Sequence, residues 1–292
     1  MNGVLQMRNN KPLTPIKRHI LWQVYRWKML TTTQVHTLMD SDASLDYVTS
    51  CVRALTKDRY LCDAEVRSSR SYYRLRPKSL LEIDFKGKHP KENGLRSEHY
   101  AHDLIVNAFQ VGDIPISKNR SHYEFVTERE LRSIADPSEV IAAEAFKIRR
   151  PDGLTTLDGQ DGYICIEVEL STKKKSRYEY SVPFYENKNI ALVLWLVKEP
   201  SQIKLLQNIF GIAGKHNFIL LNHFLENHWN AKILAGPQVG KSIAQVHCIQ
   251  KNEDPERQDL PSLHNCFLDP IKRVLTDRQD LFRDPHESEC YL

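Results

Sequence analysis

The run NIALVLWLV, from Asn189 to Val197, is the longest apolar stretch in the chain. A bilayer span needs about 20 such residues, so this segment does not cross a membrane. As a strand it lacks the polar alternation of a sheet with one wet face. Such a strand is stable only inside a sheet covered on both sides, which is the setting of an α/β protein. The neighbouring segments agree. SQIKLLQNIFGIAGKH reads as a helix, and NFILLNHFLEN begins as a strand. Upstream, DGYICIEVEL alternates, with Tyr163, Cys165, Glu167 and Glu169 on one face and Ile164, Ile166, Val168 and Leu170 on the other. KSRYEYSVPFYENK reads as a helix broken or kinked at Pro183. LRSEHYAHDLIVNAFQ places Leu95, Tyr100, Leu104 and Ala108 at helical spacing, RSHYEFVTERELRSI reads as a strand turning into a short helix, and residues 140–148 look strand-like. Together these predict a helix, strands, a helix, a strand, a helix and a strand around one mixed sheet.

At 292 residues the chain is long enough for two cores. With 41% hydrophobic and 27% charged residues it reads as soluble and globular. The opening MNGVLQMRNNKP has no apolar signal region, so export is not expected. Cys51, Cys62, Cys165, Cys248, Cys266 and Cys290 have no paired spacing, which predicts reduced thiols in a cytoplasmic protein. The net charge of +4 is a modest pointer to nucleic acid, so the placement of the cations carries more weight.

The N-terminal part reads as a helical module. LTPIKRHILWQVYRWKML puts Ile16, Ile20, Leu21 and Val24 on one face, with Pro12 and Pro15 suited to a helix start. TTTQVHTLMD supplies threonines that can cap a second helix. SLDYVTSCVRALTKDRYL places Leu45, Val48, Val52 and Leu55 inward, and Tyr47, Arg53 and Lys57 outward. Two strand-like pieces around a Ser-rich basic turn follow, in LCDAEVRSSRSYYRLRP. This is the outline of a winged helix-turn-helix. Its third helix, with Arg53 and Lys57, would enter a major groove, and Arg67, Arg70, Arg74 and Arg76 on the wing would meet phosphates. A three-helix protein-interaction module with a solvated hairpin is the other reading of the same pattern.

The expected organisation is a winged-helix DNA-binding domain over 1–83, a polar linker over 84–94, an α/β mixed-sheet domain over 95–250, and an irregular or partly disordered tail over 251–292.

The chemistry-bearing stretch is RRPDGLTTLDGQDGYICIEVELSTKKK, Arg149 to Lys175. Glu167 and Glu169 share one strand face, a costly arrangement unless they are paired or hold a cation. Asp152 follows a strand-like segment, where a turn can bring it beside them. Three oxygen donors suit Mg2+ or Mn2+. Such an ion activates water and stabilises charge on a phosphate, and a lysine among Lys173, Lys174 and Lys175 would assist. A solvated edge strand beside a solvated lysine loop is the plainer alternative.

Pro151-Asp152 and Glu167-Val168-Glu169 resemble the PD-(D/E)xK nuclease superfamily, whose restriction-endonuclease-like core runs helix, strands, helix, strand. The resemblance implies a further metal ligand on the helix before the sheet, for which Glu98 in RSEHYAHD is the positional candidate, beside His99 and His102. Glu130 in TERELR is a second acidic candidate. Glu169 stands where that family carries lysine, so a lysine from 173–175 would take the role. Over roughly residues 12–235 the order SEHYAHDL, ELR, RRPDG, IEVELSTK and a Tyr-rich PFY helix is similar to the replication-relaxation family, related to MobC-type relaxases of mobilizable plasmids. That resemblance implies DNA as partner at a plasmid transfer origin, a nick in one strand, and transfer to a conjugation apparatus with its coupling protein and an accessory mobilization protein. No compact three-histidine motif is present, and Tyr178, Tyr180 and Tyr185 are either packing aromatics or include a nucleophile. The competing readings are a non-catalytic DNA-binding replication or transcription regulator on a degenerate nuclease fold, and a restriction or repair nuclease.

Overall fold

Three helices open the described chain, and local chemistry sets their ends. The computed structural model describes residues 12–39, 42–64, 71–83, 99–114, 125–133, 150–156, 162–211, 214–247 and 266–268. Helix α1 (Pro15–Arg26) starts at a proline, whose missing N–H costs nothing in a first turn. Helix α2 (Thr32–Leu38) begins with a reciprocal cap. The Thr31 hydroxyl accepts from the Gln34 amide at 3.2 Å, and the Gln34 side chain accepts from the Thr31 amide at 2.8 Å. Ser44 caps α3 (Leu45–Lys57) by accepting from the Tyr47 amide at 3.2 Å. Ile20, Leu21, Val24, Val48, Val52 and Leu55 are buried as their spacing predicts, whereas Leu45 at the first turn of α3 is exposed. Strands β1 (Leu61–Asp63) and β2 (Tyr73–Leu75) form an antiparallel hairpin, and Leu30 bridges to Tyr73 from the α1–α2 connection. The tip of the hairpin, with Arg67 and Arg70, lies outside the described residues.

The second part is a mixed α/β unit. Helix α4 (Tyr100–Gln110) precedes β3 (Phe125–Thr127), α5 (Glu128–Ser133), β4 (Gly153–Thr156) and β5 (Tyr163–Glu169). Two short helices follow, α6 (Lys175–Glu179) and α7 (Val182–Tyr185). The break between them is the one Pro183 predicts, since a proline fits the first turn of a new helix and not the middle of an old one. Strand β6 (Ile190–Val197), α8 (Pro200–Phe210), β7 (His216–Leu220), α9 (Leu221–Asn227) and α10 (Ile243–His247) complete it. The sheet order is β3-β4-β5-β6-β7, antiparallel across the first three strands and parallel across the last three. The strand expected over 140–148 falls outside the described residues.

Both faces of β6 are covered. Leu192, Leu194 and Leu196 pack on the α4 side, and Val193, Trp195 and Val197 pack on the α6–α8 side. This is why the apolar run has no polar alternation.

The α4 side of the sheet shares one continuous hydrophobic core with α1–α3. Trp27, at the end of α1, is buried with ring centroids 6.0 Å from Phe125 and 5.9 Å from Phe267. The expected linker 84–94 is outside the described residues, yet the two parts it would join meet directly. The tail is described only at Cys266–Leu268, a helical turn whose Phe267 and Leu268 are buried in that core. No helix among the described residues is long and apolar enough to cross a membrane. Cys51, Cys62, Cys165 and Cys266 carry thiols rather than disulfides.

Candidate functional site

The site forms where β4 stops pairing with β5. Gly153 opposite Ile166 is the last register pair, and the Asp152 amide donates to the Ile166 carbonyl at 3.0 Å. Beyond it stands Pro151, which has no N–H. The Val168 amide is met instead by a side chain, donating to Asp152 Oδ2 at 2.7 Å. A carboxylate thus completes the opened strand edge and is pinned beside β5. The same oxygen lies 3.1 Å from His102 Nε2 on the first turn of α4.

His102 leads into a buried ionic chain. Its Nδ1 is 3.5 Å from Asp103 Oδ1, which takes the Lys28 ammonium at 2.5 Å. Lys28 also reaches Glu128 Oε2, on α5, at 2.5 Å. Signs alternate from Glu128 through Lys28, Asp103 and His102 to Asp152. Burial opposes the imidazolium, but the charges of Asp152 and Asp103 outweigh it and push His102 up to about 10. Burial likewise opposes the Asp103 carboxylate, and Lys28 with His102 holds it well below the usual carboxylate range. Lys28 is raised by Asp103 and Glu128 against its own desolvation. At neutral pH His102 therefore donates to Asp152.

Glu167 and Glu169 are both 2% exposed and lie on the α6–α8 face of β5. Buried carboxylates need donors. Tyr185 supplies one to Glu167 through its hydroxyl, and Lys173 supplies one to Glu169 with Nζ to Oε2 at 2.8 Å. Lys173 is itself anchored, because its amide donates to the Tyr178 hydroxyl at 2.9 Å. Tyr178 and Tyr185 are buried, and Tyr180 is 67% exposed. Lys174 is exposed at the N-cap of α6, and Lys175 pairs with Glu179 at 3.2 Å on the surface.

The expected site residues are therefore only partly gathered. Asp152, Glu167, Glu169 and Lys173 lie at the C-terminal end of β5. Asp152 is drawn toward α4 while the glutamates face α6–α8. Among the described residues no group of three His, Cys, Asp or Glu side chains is arranged to hold a metal ion. Glu98 is outside the described residues. Glu130 serves α5, its Oε2 accepting from the Thr127 amide at 2.8 Å and its Oε1 pairing with Arg26 at 2.9 Å. His99 is the N-cap of α4, accepting from the His102 amide at 3.2 Å.

Of the expected DNA contacts, Arg53 and Lys57 are exposed on α3 along with Tyr47, and Arg76 is exposed after β2. Arg74 departs from the expected free wing cation. It sits opposite Cys62 in the hairpin and is only 9% exposed.

Lys28, Asp103 and Glu128 were not singled out from the sequence. One signal was present. Asp103, Asn107 and Gln110 form a polar stripe at helical spacing on an otherwise apolar helix, and all three are buried. Asn107 Nδ2 donates to the Trp27 carbonyl at 2.8 Å, and Gln110 Nε2 to the Val126 carbonyl at 3.3 Å. A buried polar stripe of this kind marks a face that holds other segments in place.

Comparison of the chain with known protein families, with curated proteins and with solved structures finds no match.

Proposed function

We propose that this is a DNA-binding protein that nicks one strand at a specific site in a metal-dependent reaction, acting as a relaxase at a plasmid transfer origin. The observation that carries the reading is Lys173. Its ammonium lies on Glu169, the residue standing where the PD-(D/E)xK pattern has lysine, so the chain supplies that cation from four residues downstream. The order α4, three antiparallel strands, α6–α7 and a parallel strand supports the same nuclease-like core. Three helices followed by a hairpin, with Arg53 and Lys57 outward on α3, support a winged helix-turn-helix that binds DNA.

The donor chemistry fits Mg2+ or Mn2+. Asp152, Glu167 and Glu169 are hard oxygen donors at one strand end, and Glu98 is a further candidate. A bound ion would supply a lowered water pKa and charge neutralisation at the phosphate. The chain's own groups do the rest. His102 and the Val168 amide orient Asp152, Tyr185 orients Glu167, and Lys173 places positive charge where a phosphodiester gathers negative charge.

A second reading is favoured by the donors already engaged on Glu167 and Glu169 and by the absence of an assembled ion cage among the described residues. It is a DNA-binding replication or transcription regulator on a nuclease-like fold without activity.

The test is supercoiled plasmid carrying the protein's native locus, incubated with Mg2+ or Mn2+ and with chelator. The nicking reading expects metal-dependent open circles, with Asp152→Asn, Glu167→Gln and Lys173→Met slowed on the order of 100-fold or more. Specific DNA binding without nicking in either metal selects the regulator.

A further inference from the structure

We infer that His102, held by Asp103 and through it by Lys28, is a positioning residue for the Asp152 carboxylate, so that the N-terminal helices complete the site as well as carrying it to DNA. The inference rests on the nicking reading above.

Asp152 lies one residue beyond the last register pair of β4, so sheet pairing does not set its side chain. Among the described residues, the Val168 amide at 2.7 Å and His102 Nε2 at 3.1 Å both act on Oδ2. The first belongs to β5 and the second to α4, so the carboxylate is held across two elements. His102 is on the first turn of α4 with its side chain 23% exposed, and packing alone does not lock its ring. Asp103 faces its other nitrogen. Asp103 is in turn 2.5 Å from Lys28, the residue that follows Trp27 at the end of α1. Lys28 also takes Glu128 from α5, so its ammonium ties α4 and α5 to the N-terminal helices at one point. Three links thus connect the module bearing Arg53 and Lys57 to the oxygen at the candidate nicking site. Outer partners that orient a metal-binding or catalytic carboxylate commonly matter by about 10–100-fold.

The experiment uses the full chain and two readouts. In single-turnover nicking against DNA concentration, His102→Leu is expected to lower the maximal rate about 10–100-fold and leave half-saturating DNA within about twofold. His102→Gln, which restores an N–H donor, should recover part of the rate. Lys28→Met/Asp103→Leu/Glu128→Leu removes the buried cluster together, strands none of its charges, and should lower the rate in the same way. A merely structural role would instead weaken DNA binding and thermal stability while folded protein kept its maximal rate. Wild-type rates in both His102→Leu and the triple variant overturn the inference. The second readout needs no activity. In a proton–nitrogen spectrum the Val168 amide should shift and exchange faster in His102→Leu, as it should in Asp152→Asn. An unmoved Val168 resonance in His102→Leu also overturns the inference. A moved resonance in a protein that nicks DNA in neither Mg2+ nor Mn2+ retains the positioning and removes the nicking reading.

Discussion

Lys28 occupies the left-handed backbone region at φ 62°, a conformation that costs a residue with a side chain about 1–3 kcal/mol. It is kept because its ammonium satisfies two buried carboxylates that would otherwise be stranded, a loss of similar or larger size. The same network sets a pH dependence. His102 has a folded-state pKa of about 10 against an ordinary 6.5, so between those values the folded chain holds a proton that the unfolded chain has released. Its stabilising contribution is full below about pH 6.5, declines as pH rises, and is gone above about 10. His216 acts in the opposite sense. Burial and Lys215 lower it to about 4, and its ring accepts from Trp195 Nε1 at 2.9 Å, so acid below about 6.5 favours the unfolded chain. Asp103, depressed below 3.8, adds to the acid loss. Thermal midpoints measured across this range should peak near pH 6.5, and His102→Gln should flatten the alkaline limb. An alkaline limb equally steep in that variant would count against the assignment. None of this was legible locally, since Lys28 finds its partners 75 and 100 residues away in sequence. That Glu167 and Glu169 share one strand face was legible, because two-residue spacing on a strand places side chains together wherever the strand goes.

At the scale of elements, periodicity did most of the reading. Helices α1, α3 and α4 and strand β6 bury most of the residues their spacing selects, with Leu45 of α3 exposed and Ile16 and Tyr100 half-buried. The low exposure of Arg74 was not legible, because a three-residue strand is too short to show which way its alternation points. Helix α3 is the opposite case. Thirteen residues resolve an inner face of Val48, Val52 and Leu55 from an outer one of Tyr47, Arg53 and Lys57. If that outer face meets DNA, Arg53→Ala and Lys57→Ala should each weaken binding and reduce the salt slope of log affinity by about 1 where they contact phosphate. A contact to a base edge would instead relax discrimination at one base pair by about 1–3 kcal/mol. Titration of both variants on cognate and mismatched duplexes at several salt concentrations separates the two roles. Unchanged affinity and slope in both variants would move the interface off α3.

For the whole molecule, the decisive feature is that the N-terminal helices and the α4 face of the sheet have one core rather than two. Phe125 from β3 and Phe267 from near the C-terminus both meet the Trp27 ring at tilted angles. Arg26 lies 4.1 Å over the Phe125 ring and donates to its carbonyl at 2.9 Å. The sequence suggested two domains because a polar stretch separates them, and polarity along the chain does not report which apolar faces later meet. A shared core predicts shared unfolding. Denaturant titration followed by helical circular dichroism and by tryptophan emission should give coincident single transitions. Lys28→Met should destabilise that one transition by about 3–5 kcal/mol, the cost of leaving buried carboxylates without their cation. Lys28→Met combined with Asp103→Leu and Glu128→Leu should recover much of the loss, since an apolar replacement of a buried ionic cluster is often close to neutral. Two separated transitions, with Lys28→Met moving only the first, would show that the modules fold independently. Coincident transitions would mean that the two parts unfold as one unit, and on the proposed nicking reading the nick should then follow the bound sequence at a fixed distance along DNA.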